Sequence, residues 1–97
     1  MKFAGIGIKK FFSLDTQAYL EGALAKKTKE LIGLVVSLVL RCDDCVMYHL
    51  IRCHEDGVTD AEIEEALNIG LVVGGSITIP HLRLAIDAWQ ELKEIKK

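Results

Sequence analysis

Apolar residues recur at three- and four-residue spacing along most of the chain, and this spacing predicts helices throughout. Ser13 or Asp15 can cap a first helix running to about Ala25, with Leu14, Ala18 and Leu24 on its apolar side. Thr28 can cap a second, from Lys29 to Leu40, carrying Leu31, Leu34, Val35 and Leu38. This helix is apolar nearly all round, so both of its sides are expected to be covered. Arg41–Asp44 interrupts the pattern, and a third helix then runs to about Glu55, with Gly57 as a left-handed stop. Thr59-Asp60-Ala61-Glu62 is a capping box. It opens a fourth helix whose Ile63, Ala66, Leu67, Gly70 and Leu71 share a face, ended by Gly74-Gly75. Pro80 starts a fifth, with Leu82, Ala85, Ile86, Trp89 and Leu92 inward and a lysine-rich end that suits the helix dipole. Val35-Val36 and Val72-Val73 suit short strands, but no hairpin turn joins them. The expected fold is all-α: a small helical domain with antiparallel helix packing, one unit over residues 1–97.

Composition narrows the class. The 97 residues are 51% hydrophobic and 27% charged, the balance of a globular chain. A chain this short buries only about 60–65% of its unfolded surface, and one core is marginal at that size. No cysteine framework staples it, so self-association is the simplest way to bury what remains. The net charge of −2 is spread over interspersed Lys, Arg, Asp and Glu, with no basic stripe for nucleic acid. Leu31–Leu40 is the longest apolar run and too short to span a bilayer. Met1–Lys10 is too short for a signal-peptide core and has no small-residue cleavage site behind it. A cytoplasmic location is expected, and there a Cys-x-x-Cys points to redox or metal chemistry before a structural staple.

The chemistry is concentrated in Glu30, Cys42, Cys45 and His49, spaced Glu-x11-Cys-x2-Cys-x3-His. Two thiols three residues apart can close a disulfide with little rearrangement. A histidine four residues after the second thiol lies on the same helix face, one turn along, and can take its proton. An upstream carboxylate can orient and charge that histidine. Nucleophile, base and orienter are the parts of an activated-thiol site. Cys42 and Cys45 straddle the start of the third helix, where backbone N–H groups favour a thiolate, whereas Asp43 and Asp44 oppose it.

Zinc is the main rival chemistry, with Cys42, Cys45, His49 and Cys53 as ligands. The last three form a stripe about 12 Å long on one helix, too long for one ion. Cys53 is expected in the core, His54 at a solvated helix end, and His81 at the surface or an interface. Met47 and Tyr48 read as packing residues, with Tyr48 able to line a pocket. Glu30 sits among Lys26, Lys27 and Lys29, and spacing alone makes it a solvated charge. It reaches His49 only if the second and third helices pack antiparallel and cross favourably.

The chain resembles the carboxymuconolactone decarboxylase / alkylhydroperoxidase D family over roughly Leu20 to Leu92. The resemblance rests on Lys27-Thr28-Lys29-Glu30-Leu31 leading an apolar helix into Cys42-x-x-Cys45-x-x-x-His49. The Gly57 turn, Glu62-Ile63-Glu64-Glu65-Ala66-Leu67 and Gly74-Gly75 follow in family order. It implies an all-α fold assembled as a trimer or hexamer. It also implies, in the peroxidase branch, that Cys45 attacks peroxide, Cys42 resolves the sulfenic acid, and Glu30 and His49 relay the proton. His49 is one turn from Cys45 and two from Cys42, which favours the same assignment. Asp44 stands where the best-studied peroxidases of the family have a histidine, so one relay member is absent. The chain is also a near-minimal single copy of the core, without extra helices to shape a substrate pocket.

These observations predict a thiol-dependent peroxidase or disulfide reductase. It takes a peroxide substrate, an external dithiol of lipoyl or thioredoxin-like type, and no cofactor or metal. A lactone decarboxylase is the alternative enzyme, but that chemistry does not call for a cysteine pair. A helical oligomer that senses oxidants through its disulfide is the alternative without catalysis, and turnover with a dithiol separates it from the first.

Overall fold

Five α-helices run through the described residues, 5–95, of the computed structural model. They are α1 (Ile6–Ala18), α2 (Lys26–Val39), α3 (Asp43–Glu55), α4 (Asp60–Gly74) and α5 (Ile79–Ile95), with a 3₁₀ turn at Ser76–Thr78 leading into α5. No strand occurs among the described residues, so both valine pairs are helical. The first four residues of the stretch weighed as a leader lie outside the described residues.

Local chemistry sets most boundaries. Thr59 and Glu62 cap each other at the start of α4: Thr59 N–H donates to the Glu62 carboxylate at 2.8 Å, and Glu62 N–H to the Thr59 hydroxyl at 3.2 Å. Gly57, at φ 77°, turns the chain out of α3. α2 starts at Lys26 rather than after Thr28, capped by Ala25 without a side-chain bond. α5 starts at Ile79, which places Pro80 in its first turn.

α1 differs most from expectation. It begins at Ile6 and stops at Ala18, so Ser13 and Asp15 lie inside it and residues 19–25 form a loop. Polar side chains inside α1 turn to neighbouring groups in the helix, as where the Thr16 hydroxyl donates to Phe12 O at 3.0 Å. The stop is enforced from α2: Lys29 Nζ donates to Ala18 O at 2.9 Å and to Leu20 O at 2.6 Å. α1 buries none of its residues, and Leu14, Ala18 and Leu24 are exposed.

The core is built from α2 to α5. α2 lies against α3 and α4, and α3 against α5. α2 and α3 run antiparallel, because Lys26 at one end meets Asp56 at 3.5 Å while a short link joins the other ends. The core takes Leu34 and Leu38 from α2, Val46, Leu50 and Cys53 from α3, Ile63 and Leu67 from α4, and Ala85 and Trp89 from α5. Trp89 keeps its indole N–H satisfied through Asp60, at 2.8 Å. Ile86, expected inward, is exposed. α2 is covered on one side only: Ile32, Val36 and Leu40 are exposed in the single chain. The radius of gyration is 14.2 Å, above the roughly 12.5 Å of a compact chain of this length. The projecting α1 is consistent with that excess.

Candidate functional site

Cys42 caps α3, and its Sγ accepts a hydrogen bond from Cys45 N–H at 3.3 Å. The two cysteines are paired as a disulfide with Cα atoms 5.3 Å apart, within the ordinary range for such a bond. Cys45 is the exposed member and Cys42 is half-buried. Asp43 and Asp44 occupy the first turn of α3 and complement its dipole. Asp43 is not free: its carboxylate lies 2.7 Å from His81 Nδ1 at the start of α5.

His49 sits one turn beyond Cys45 and is buried. Its Nδ1 lies 3.2 Å from Glu30 Oε1, across the α2–α3 contact. Glu30 is only 1% exposed, so the solvated-charge reading of its lysine-rich surroundings does not hold. Its second oxygen lies 3.6 Å from Arg52 Nε, which shares a face of α3 with His49. A buried carboxylate against Nδ1 holds a proton there and leaves Nε2 as the basic nitrogen. Nε2 meets the Tyr19 hydroxyl at 3.5 Å. Burial, and then the negative charge of Glu30, hold the Tyr19 hydroxyl above its ordinary range, so it keeps its proton.

Gly33 makes this arrangement possible. A Cβ there would stand 2.6 Å from both His49 Cε1 and Tyr19 Oη. Tyr48 closes another side of the imidazole, edge-on at 5.2 Å between centroids. His49 lies between two open cavities. One, about 510 Å³, is lined by Phe11, Phe12, Asp44, Cys45, Tyr48 and His49. The other, about 400 Å³, is lined by Tyr19, Ile32, Gly33, Val36, Ser37 and His49. The exposed thiol position and the buried base therefore share one apolar cavity, while the base's free nitrogen has a phenol for its neighbour.

The structure thus brings together Glu30 with His49, and Cys42 with Cys45. Cys53 lies apart in the core, where burial pushes its thiol up to about 12. His54 lies in the last turn of α3, half-buried, and packs edge-on against Trp89 at 5.6 Å. Spacing alone did not reveal Tyr19, Arg52 or the His81–Asp43 contact. Arg52 carried a signal, since a residue three places after His49 shares its helix face. Tyr19 and His81 carried none, because both arrive from elsewhere in the fold.

The profile of the carboxymuconolactone decarboxylase family matches residues 8–88. A crystal structure from Thermotoga maritima, described as a protein of that family with a suggested part in antioxidative response, superposes with a TM-score of 0.93. It is 57% identical, over 96% of each chain. A family member from Legionella pneumophila, solved in its apo form, has a TM-score of 0.82 and 31% identity over 87% of this chain and 75% of its own. An uncharacterised Paracoccus denitrificans protein from the cox locus is 28% identical over 82 residues, 84% of this chain and 74% of its own.

Proposed function

The chain belongs to the carboxymuconolactone decarboxylase family, and from that premise we propose that it is a thiol-dependent peroxidase or disulfide reductase working through Cys42 and Cys45. The observation that carries this reading is the buried Glu30–His49 pair beside a Cys-x-x-Cys disulfide whose exposed sulfur shares a cavity with the imidazole.

The cycle starts with both cysteines reduced. His49 takes the Cys45 proton on Nε2, and the thiolate attacks the outer oxygen of the peroxide. An S–O bond forms and the O–O bond breaks. The departing alkoxide or hydroxide takes a proton back from the site, which leaves Cys45 as a sulfenic acid. Cys42 then attacks the Cys45 sulfur, water leaves, and the disulfide closes. An external dithiol, of lipoyl or thioredoxin-like type, reopens it by exchange. The hydrogen bond from Cys45 N–H to Cys42 Sγ supports the resolving step, since a backbone donor at a helix start favours a thiolate. Phe11, Phe12 and Tyr48 give the cavity an apolar lining beside the attacking sulfur.

The setting we propose for this activity is a cytoplasmic homo-oligomer, a trimer or hexamer. Among the described residues no helix is long and apolar enough to cross a membrane. Ile6, Phe11 and Leu14 on α1, Val36 on α2 and Val72 on α4 leave apolar surface exposed in the single chain. Peroxide consumption by the purified protein, supplied with dihydrolipoamide or thioredoxin, tests the activity. Turnover that Cys45→Ser abolishes is expected; a single stoichiometric oxidation without turnover would favour an oxidant sensor instead.

A further inference from the structure

We propose that Tyr19 is a positioning residue for the thiol site. Its hydroxyl donates to His49 Nε2, and when Cys45 is reduced it competes with the Cys45 proton for that nitrogen. This role rests on the proposed relay and adds to it a residue that spacing does not connect with the site.

Three observations carry it. Glu30 occupies Nδ1 of His49 at 3.2 Å, so Nε2 holds the free lone pair, and the hydroxyl facing it at 3.5 Å is that of Tyr19. The contact is built into the fold. Lys29 grips the carbonyls of Ala18 and Leu20, on either side of Tyr19, and so fixes where its ring can reach. Gly33 gives up the space of a side chain to admit both partners, since its Cβ would collide with each.

The surroundings favour a protonated phenol. Burial first, then Glu30 on α2, Asp15 on α1 and Tyr48 on α3, oppose ionisation of Tyr19. Lys26, Glu30 and Arg52 line a cavity together with Tyr19. A protonated phenol beside a neutral imidazole nitrogen is the donor in the contact. Donation to the neutral form of a base favours that form. The hydroxyl therefore competes with the Cys45 proton for the same lone pair. Release needs only rotation of a hydroxyl, which is free to turn.

Tyr19→Phe keeps the ring and removes the donor. In the disulfide form, ¹⁵N spectra of histidine-labelled protein should show the His49 Nε2 resonance moving toward that of an unbonded imidazole nitrogen. An unchanged resonance would overturn the contact. In the reduced form, the pH profile of Cys45 alkylation by iodoacetamide should move about half to one unit lower, the worth of one hydrogen bond. The shift should vanish when Tyr19→Phe is placed in a His49→Gln background. An upward shift, no shift, or a shift that survives without His49 would overturn the role. If His49→Gln alone leaves the Cys45 profile unchanged, the relay falls and this role with it, even where the nitrogen resonance has moved.

Discussion

Glu30 Oε1 and His49 Nδ1 lie 3.2 Å apart, although 19 residues separate them in sequence. Their meeting depends on how α2 and α3 cross. It places a carboxylate with 1% exposure against one face of a buried imidazole and gives both partners a defined protonation geometry. The pair also carries structural weight, because Arg52 leans on the same carboxylate.

Two substitutions at Glu30 separate these contributions. Glu30→Gln keeps the volume and one acceptor, so it should fold, while His49 loses its anionic partner and peroxide turnover falls. Glu30→Ala leaves the imidazole without its partner and removes the carboxylate that lies 3.6 Å from Arg52 Nε. It should lower stability by about 3 kcal/mol, the lower end for a broken buried pair, because the guanidinium reaches solvent. Urea denaturation followed by circular dichroism measures the difference. Equal stability for the two variants would mean that the carboxylate does not hold the helices.

Gly33→Ala places a methyl group where His49 Cε1 and Tyr19 Oη already sit. One of the rings must move. We expect a loss of about 1–3 kcal/mol in stability. Cys45 alkylation should also become less dependent on His49. A variant with native stability and native pH profile would show that the two rings yield without consequence.

How far the site was legible follows from where its parts come from. Cys42, Cys45 and His49 were legible because three- and four-residue steps on one helix are local arithmetic. The α4 capping box and the Gly57 stop were legible for the same reason. Glu30 required knowledge of the helix crossing. Tyr19 required knowing that α1 ends at Ala18, and that end is imposed by Lys29 from another helix. The start of α1 was misplaced because Ser13 and Asp15 are capping residue types, and here both lie inside the helix. His81 was read as a surface or interface residue, without a partner, because nothing in the spacing relates α5 to the first turn of α3.

The exposed apolar residues bear on assembly. Leu40, Val72 and Ile6 are each more than two-thirds exposed in the single chain, at 69%, 82% and 76%. A 97-residue chain with so much apolar surface uncovered is expected to associate. Sedimentation at micromolar concentration should show a trimer or hexamer and no stable monomer. A clean 10.8 kDa species would defeat the idea.

Cys53 gives a pH prediction with a defined sign. Burial raises its thiol from an ordinary value near 9 to about 12. The folded state therefore favours the protonated form. The stability this contributes is complete below about pH 9 and is lost as the pH rises toward about 12, with an upper bound of about 4 kcal/mol. Cys53→Ala should be less stable at neutral pH by about 1 kcal/mol or more. Its stability should fall less steeply over that alkaline window. Parallel slopes for the two proteins would show that Cys53 ionises as readily folded as unfolded. Mild oxidation should leave Cys53 a free thiol, because it is fully buried and eight residues from Cys45 on the same helix.

The assignment of roles within the thiol pair makes the most direct prediction. Cys45 is exposed and shares a cavity with His49, whereas Cys42 is half-buried and accepts a backbone hydrogen bond at the helix start. Access and proximity to the base therefore favour Cys45 as the attacking thiol, and the backbone donor suits Cys42 to resolve. Cys42→Ser should still react with peroxide and should trap a sulfenic acid at Cys45, because no resolving partner remains. Cys45→Ser should be inert. His49→Gln should slow a proton-transfer-limited step by about 10²–10⁴-fold, and Glu30→Gln should slow it less. Iodoacetamide labelling against pH, with the label assigned peptide by peptide, reads these differences alongside peroxide turnover. If Cys42 alkylates first and Cys45→Ser still forms a sulfenic acid, the two roles are reversed. If no variant alters turnover, the disulfide is not part of a catalytic cycle.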